Sequence, residues 1–258
     1  MLKELFERLF HFISRHWATV GLCELASANV VGYHATALRA GATATGASFL
    51  SVGTNGCRLT TIKPTNLPSG YKGAINIQTL DHLGRKVARY NYHEGETGRG
   101  AKADGWWLEN TTLITADNDV TFNPGEGLWV TGLDGVSLIT SGEVLFGDVS
   151  CPLRDGATMI ANPYPAAIKL TTIKPTNLPS GYKGAINIQT LDHLGRKVAR
   201  YNYHEGETGR GAKADGWWLE NTTLITADND VTFPAGQGLW VTGLNGTNLE
   251  FTSPMTAE

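Results

Sequence analysis

The stretch from Leu59 to Phe122 returns letter for letter as Leu170 to Phe233. The offset is 111 residues, too long for a solenoid unit and about the size of a small domain. The sequence therefore predicts two tandem copies of one module. The first spans 29–142 and the second 143–258, with a leading segment at 1–28. Unbroken identity fits a recent duplication, gene conversion or an engineered tandem, and does not show that each letter matters. The diverged flanks say more. Leu38, Gly41 and Thr43 reappear as Leu153, Gly156 and Thr158, and Gly127 to Leu133 match Gly238 to Leu244. Glycines and large apolar residues are what turns and a core require. Between the upstream match and the repeat, the first copy carries four extra residues, which belong in a loop.

The fold class expected is all-β, two tandem sandwich- or barrel-like modules behind one N-terminal amphipathic helix. Abundant Gly, seven Trp and only three Met favour short strands and tight turns. Charged residues make up 17% of the chain and the net charge is −3. A nucleic-acid partner would need a basic stripe, so none is expected. No run approaches the ~20 apolar residues of a membrane helix. The three cysteines do not repeat at the module period, so no disulfide framework is expected. One bridge between Cys57 and Cys151 stays open as a reading.

Residues 1–17 carry the one helical pattern, with Leu2, Leu5, Phe6, Leu9, Phe10, Ile13 and Trp17 at spacings of three and four. Ala26-Ser27-Ala28 after it has the form of a signal-peptidase site. A poor secretion signal is the preferred reading. A membrane-surface helix and a helix packed on the first module are the alternatives. Strands are expected at Asn29–Tyr33, with Val144–Asp148 in the same place in the second copy. Pro64, Pro68 and Gly70 mark a loop. Ala74–Leu80 alternates, Asp81-His82-Leu83-Gly84 has the preference of a type I turn, and Arg85–Tyr92 is the return strand. Further strands are expected at Trp106–Leu108, Thr111–Thr115 and Val120–Phe122. Leu128–Leu133 and Val136–Thr140 read as a hairpin across Asp134-Gly135, replaced in the second copy by Asn245-Gly246. Either dipeptide suits a type I′ turn.

Asn29-Val30-Val31-Gly32-Tyr33, Met159-Ile160-Ala161-Asn162-Pro163, Asp104-Gly105-Trp106-Trp107, Pro124 to Val130 and Ser141 to Val144 resemble, in order and spacing, uncharacterised secreted β-rich proteins of Verrucomicrobia- and Lentisphaerae-type bacteria. The resemblance covers 29 to about 251. It implies export to the cell envelope or beyond and a structural or surface role, and it brings no catalytic residues.

One candidate site stands out. Neighbouring side chains on a strand point to opposite faces, so one of Trp106 and Trp107, and one of Trp217 and Trp218, should lie outside the core. The outer indole could stack on a sugar ring, with hydrogen bonds from His93, Glu94, Arg99 and Asp104, or from His204, Glu205, Arg210 and Asp215. The plainer reading has a loop covering that indole. His93-Glu94-x-Glu96 and Asp117-x-Asp119 are metal-capable but lack the spacing of a zinc or EF-hand site, so no metal and no cofactor are expected. Glu94, Glu96, Asp104 and Glu109 could supply a hydrolase pair only if they converge in space. No nucleophile elbow, P-loop or dinucleotide fingerprint is present. Asn110 and Asn221 open formal glycosylation sequons. The function expected is a non-enzymatic, exported structural or assembly protein. The alternative is a two-site carbohydrate binder. Expected partners are a second copy of the chain or a polysaccharide.

Overall fold

The computed structural model describes residues 31–68, 73–179 and 184–255. The expected N-terminal helix and leader at 1–28 lie outside the described residues. Residues from Val31 onward form one compact unit.

The unit is all-β, with strands in chain order as follows. The first half holds β1 (Val31–Ala37), β2 (Gly41–Gly46), β3 (Cys57–Arg58), β4 (Lys63–Thr65), β5 (Asn76–Leu80), β6 (Lys86–His93), β7 (Gly105–Leu108), β8 (Thr112–Leu113), β9 (Thr121–Phe122), β10 (Gly127–Gly132) and β11 (Ser137–Glu143). The second half holds β12 (Val149–Pro152), β13 (Gly156–Ala161), β14 (Ile168–Lys169), β15 (Ile173–Thr176), β16 (Asn187–Leu191), β17 (Lys197–His204), β18 (Gly216–Leu219), β19 (Thr223–Leu224), β20 (Thr232–Phe233), β21 (Gly238–Gly243) and β22 (Asn248–Phe251).

Each half has a six-stranded sheet, a three-stranded sheet and a two-stranded pair. The orders are β2-β10-β5-β6-β7-β8, β1-β11-β4 and β3-β9 in the first half. In the second they are β13-β21-β16-β17-β18-β19, β12-β22-β15 and β14-β20. The sheets enclose two separate hydrophobic clusters. One gathers Ile77, Leu128 and Val130 from the six-stranded sheet, Leu138 from the three-stranded sheet and Phe122 from the pair. The other gathers Ile188, Leu239, Val241, Leu249 and Phe233.

The alternation in Asn76–Leu80 puts Ile77 inside and leaves its neighbours partly exposed. The hairpin β5–β6 forms as expected, with a bulge between Thr79 and Leu80. Its turn is closed by the Gly84 amide donating to the Asp81 carbonyl at 2.9 Å, while Asp81 Oδ1 accepts from the amides of Leu83 and Arg85.

Three expectations are corrected. The strands on either side of Asp134-Gly135 are not a hairpin. β10 pairs with β2 and β5, whereas β11 pairs with β1 and β4. The chain leaves one sheet for the other, so the turn need not match hairpin twist. Gly135 has φ +81° and Asp134 no positive φ, so the turn is not type I′. Asp134 Oδ1 instead accepts from the Ala40 amide at 2.8 Å, tying this turn to the one between β1 and β2. Second, Val144–Asp148 is a connection, and the strand begins at Val149. Third, Pro64 is not in a loop but buried in β4, at the sheet edge, where its missing N–H costs no ladder bond.

The extra residues of the first half form a largely buried turn. Leu50 exchanges backbone hydrogen bonds with Glu143 at 2.8 and 2.9 Å. Phe49 is buried beside Gly32, as Tyr164 is buried in the second half with its hydroxyl within 3.0 Å of the carbonyls of Gly147 and Phe251, between which its one proton is shared. Cys57 and Cys151 are free thiols in different clusters.

The halves touch through reciprocal contacts. The Ala42 amide donates to the His193 carbonyl at 2.8 Å, and the Ala157 amide to the His82 carbonyl at 2.8 Å. The Gly46 amide donates to the Gly236 carbonyl at 2.9 Å, and the Ala161 amide to the Gly125 carbonyl at 3.0 Å. The β5–β6 turn thus grips the start of β13, and the β16–β17 turn the start of β2.

Candidate functional site

On β7 the two adjacent tryptophans divide as the pleat demands. Trp106 is buried, 2% exposed, and donates Nε1–H to the Ile62 carbonyl at 2.8 Å. Tyr92, directly opposite on β6, meets it edge-on at 5.1 Å between centroids. Trp107 faces the other way and is half-buried. Its Nε1–H donates to the Ala103 carbonyl at 2.9 Å, and Lys102 Nζ stands 4.3 Å over its ring. Trp217 and Trp218 repeat this arrangement, with Lys213 over Trp218.

The polar loop from His93 to Gly105 is folded on itself. His93 is 5% exposed and bonded at Nδ1 to Glu96 Oε1, 2.6 Å, and at Nε2 to Asn110 Oδ1, 2.7 Å. Glu96 Oε2 accepts from the Lys102 amide at 2.9 Å. Lys102 Nζ donates to the Asn110 carbonyl at 2.5 Å. Asp104 Oδ1 accepts from the Gly95 amide at 2.8 Å, and Glu94 Oε2 from the Tyr92 hydroxyl at 2.9 Å. Asn110 carries a positive φ of 59°, which a type with a short polar side chain tolerates. Its side-chain amide, the nominal glycan acceptor, is turned toward His93. Arg99 is exposed at the loop tip. In the second half His204, Glu205, Glu207, Lys213, Asp215 and Asn221 take the same places, with Arg210 exposed.

The structure therefore gathers His93, Glu94 and Asp104 beside Trp107 but points their polar atoms at backbone and side chains of the loop and its flanking segments. The hydrogen bond from the His204 ring, then the Lys213 amide, hold the Glu207 carboxyl below the ordinary carboxylate range. Glu109 is lowered as well, chiefly by the Lys86 ammonium, which bonds it at 2.8 Å. Asp119 caps the one-turn 3-10 segment Leu59–Thr61 by accepting from the amide and hydroxyl of Thr60. Among the described residues no three His, Cys, Asp or Glu side chains converge as a metal centre requires.

These pairings make two graded expectations. Trp106→Ala removes a core indole and strands the Ile62 carbonyl, at a cost of about 3–5 kcal/mol. Trp107→Ala removes a half-exposed ring and costs about 1–2 kcal/mol. Urea unfolding of the two variants checks the order. Stability should also fall in acid. Asp192 is held down to about 2 by its bonds from the Arg196 amide and side chain, and Glu207 and Glu220 are lowered too. A carboxyl whose folded pKa is depressed stabilises the fold above its unfolded pKa, near 4, and that contribution is lost as pH falls toward the folded value. The melting temperature should hold from neutral pH down to about 5 and decline between about 4 and 2.

Trp129 and Trp240, which from sequence read as fold determinants rather than as a site, form a second aromatic pair. Both are half-buried, on the outer faces of β10 and β21. Each packs against the β5–β6 turn, or its counterpart, of the other half. A Cβ placed on Gly84 would lie 2.6 Å from Trp240 Cη2, and one on Gly195 would lie 2.5 Å from Trp129 Cη2. The signal that could have found them is position. Trp129 alternates with the inward Leu128 and Val130, so it had to face outward.

A cavity of about 590 Å³ lies between the Asn123–Glu126 turn and β12–β13. Burial raises the Glu126 carboxyl above its ordinary value. Burial, then the Glu250 charge, push the Cys151 thiol up to about 12, where it is a poor nucleophile.

Comparison with protein-family models, curated proteins and solved structures returned no match.

Proposed function

We propose that the chain is a non-enzymatic structural or assembly protein of the cell surface or envelope, made of two sandwich-like β modules joined face to face. The observation that carries this reading is the fate of the repeated loop. Its His, Glu, Asp and Lys side chains are spent on one another and on nearby backbone, and among the described residues the loop aims no acid–base pair into a cleft. Export rests on the resemblance of the β region to secreted proteins.

Assembly would use the edge strand β1. Its outward face carries Val31, 63% exposed, and Tyr33, 75% exposed, with Val52 at 71% elsewhere on the same half. Among the described residues only β11 pairs with β1, and an unpaired strand edge is a template for another strand. Light scattering across protein concentration tests this. The chain should associate as concentration rises, and Tyr33→Lys should hold it monomeric. A wild-type monomer at high concentration would overturn the assembly role.

A further inference from the structure

Among the described residues, six tryptophans fall into two classes. The indole N–H groups of Trp106, Trp107, Trp217 and Trp218 are each bonded to a backbone carbonyl. Those of Trp129 and Trp240 donate to no described residue. Both of these rings line one cavity of about 310 Å³, with Gln78, Leu80, Gly84 and Lys86.

The cavity is built from both halves. Trp129 and Gln78 lie opposite each other across β10 and β5, so they share a face. Trp240 reaches in from the other half over Gly84. Gln78 Nε2 donates to Asn76 Oδ1 at 2.9 Å, which fixes the amide and leaves its carbonyl oxygen as an acceptor. Lys86 Nζ is held by Glu109 at 2.8 Å, and an ammonium has three donors, so two remain. The benzo ends of both indoles are pinned against glycine backbone of the opposite half. They are therefore set before any ligand arrives, which lowers the ordering cost of binding.

We propose that this cavity binds a neutral pyranose unit of a polysaccharide. The apolar C–H face of such a ring suits an indole. Its hydroxyls suit the mixed set of donors and one acceptor around the rim. A cationic ligand is disfavoured by Lys86. The volume is at the low end of ligand sites, roughly 300–1,000 Å³, so the occupant is a short stretch of the polymer. The site exists only where both halves meet. It does not depend on assembly through β1, and it places sugar binding away from Trp107 and Trp218.

Native gels cast with hydroxyethylcellulose, laminarin, xylan or mannan test the proposal on the full chain. At least one polymer should retard the wild type. The pair Trp129→Ala/Trp240→Ala should abolish that retardation, and Trp107→Ala/Trp218→Ala should keep it. Since Trp129 and Trp240 also pack between the halves, Gln78→Leu serves as the variant that leaves the indoles in place. It should weaken binding roughly tenfold, the loss of about one hydrogen bond. No retardation by any of the four polymers would overturn the proposal. So would retardation indifferent to Gln78→Leu, or retardation that depends on Trp107 and Trp218.

Discussion

Gly41→Ala combined with Gly156→Ala is expected to unlatch the two halves. Both glycines have φ near +115°, where a Cβ is strained. Both also sit under backbone that cannot retreat cheaply. The added Cβ would lie 2.5 Å from the His193 carbonyl oxygen at Gly41 and 2.3 Å from that of His82 at Gly156. Each change therefore carries backbone strain of about 1–3 kcal/mol and overpacking of about 1–3 kcal/mol. The next residues, Ala42 and Ala157, make the reciprocal hydrogen bonds to those same carbonyls. The clash falls on the grip itself, and each hydrophobic cluster is left intact. Small-angle scattering should show a larger radius of gyration, and calorimetry should resolve one melting transition into two. A single unshifted transition would mean that the turns carry little of the contact.

Gly142→Ala is expected to damage the first half alone. Gly142 has φ +155°, and its Cβ would lie 1.9 Å from the Leu50 carbonyl oxygen. That carbonyl accepts from the Glu143 amide at 2.8 Å, so moving it breaks a paired bridge. The expected cost is about 3–5 kcal/mol from strain and the displaced hydrogen bond. Hydrogen exchange should rise across β1, β11 and residues 47–56 while β12–β22 keep their protection. Uniform exchange in both halves would sink this expectation.

Local rules reached the parts of the fold that depend on neighbours in sequence. Ile77 between partly exposed residues, Asp81 and Gly84 at a turn, and Trp106 against Trp107 each follow from a two-residue period or a four-residue turn. What failed depended on where a strand goes next. Asp134-Gly135 looks the same whether the chain returns to its own sheet or crosses to another, because the dipeptide sees only its own φ angles. Pro64 reads as a loop residue until its edge position is known. The polar loop was legible as polar, but self-satisfaction is a matter of three-dimensional reach, from Glu96 to Lys102 and from His93 to Asn110. Trp129 and Trp240 were legible as outward-facing by alternation alone. That they come to line one cavity could not be read, since it requires knowing how one half meets the other.

The reciprocal grip has a consequence for traffic between molecules. A half that swings open at 144–148 offers a stranger the same tip and the same recess it offers its own sibling. Covalent tethering holds the sibling at an effective concentration in the millimolar range, so a dilute chain closes on itself. Crowded chains melted and cooled together would trade siblings instead, giving rings and runaway strings whose every joint copies the one inside the single molecule.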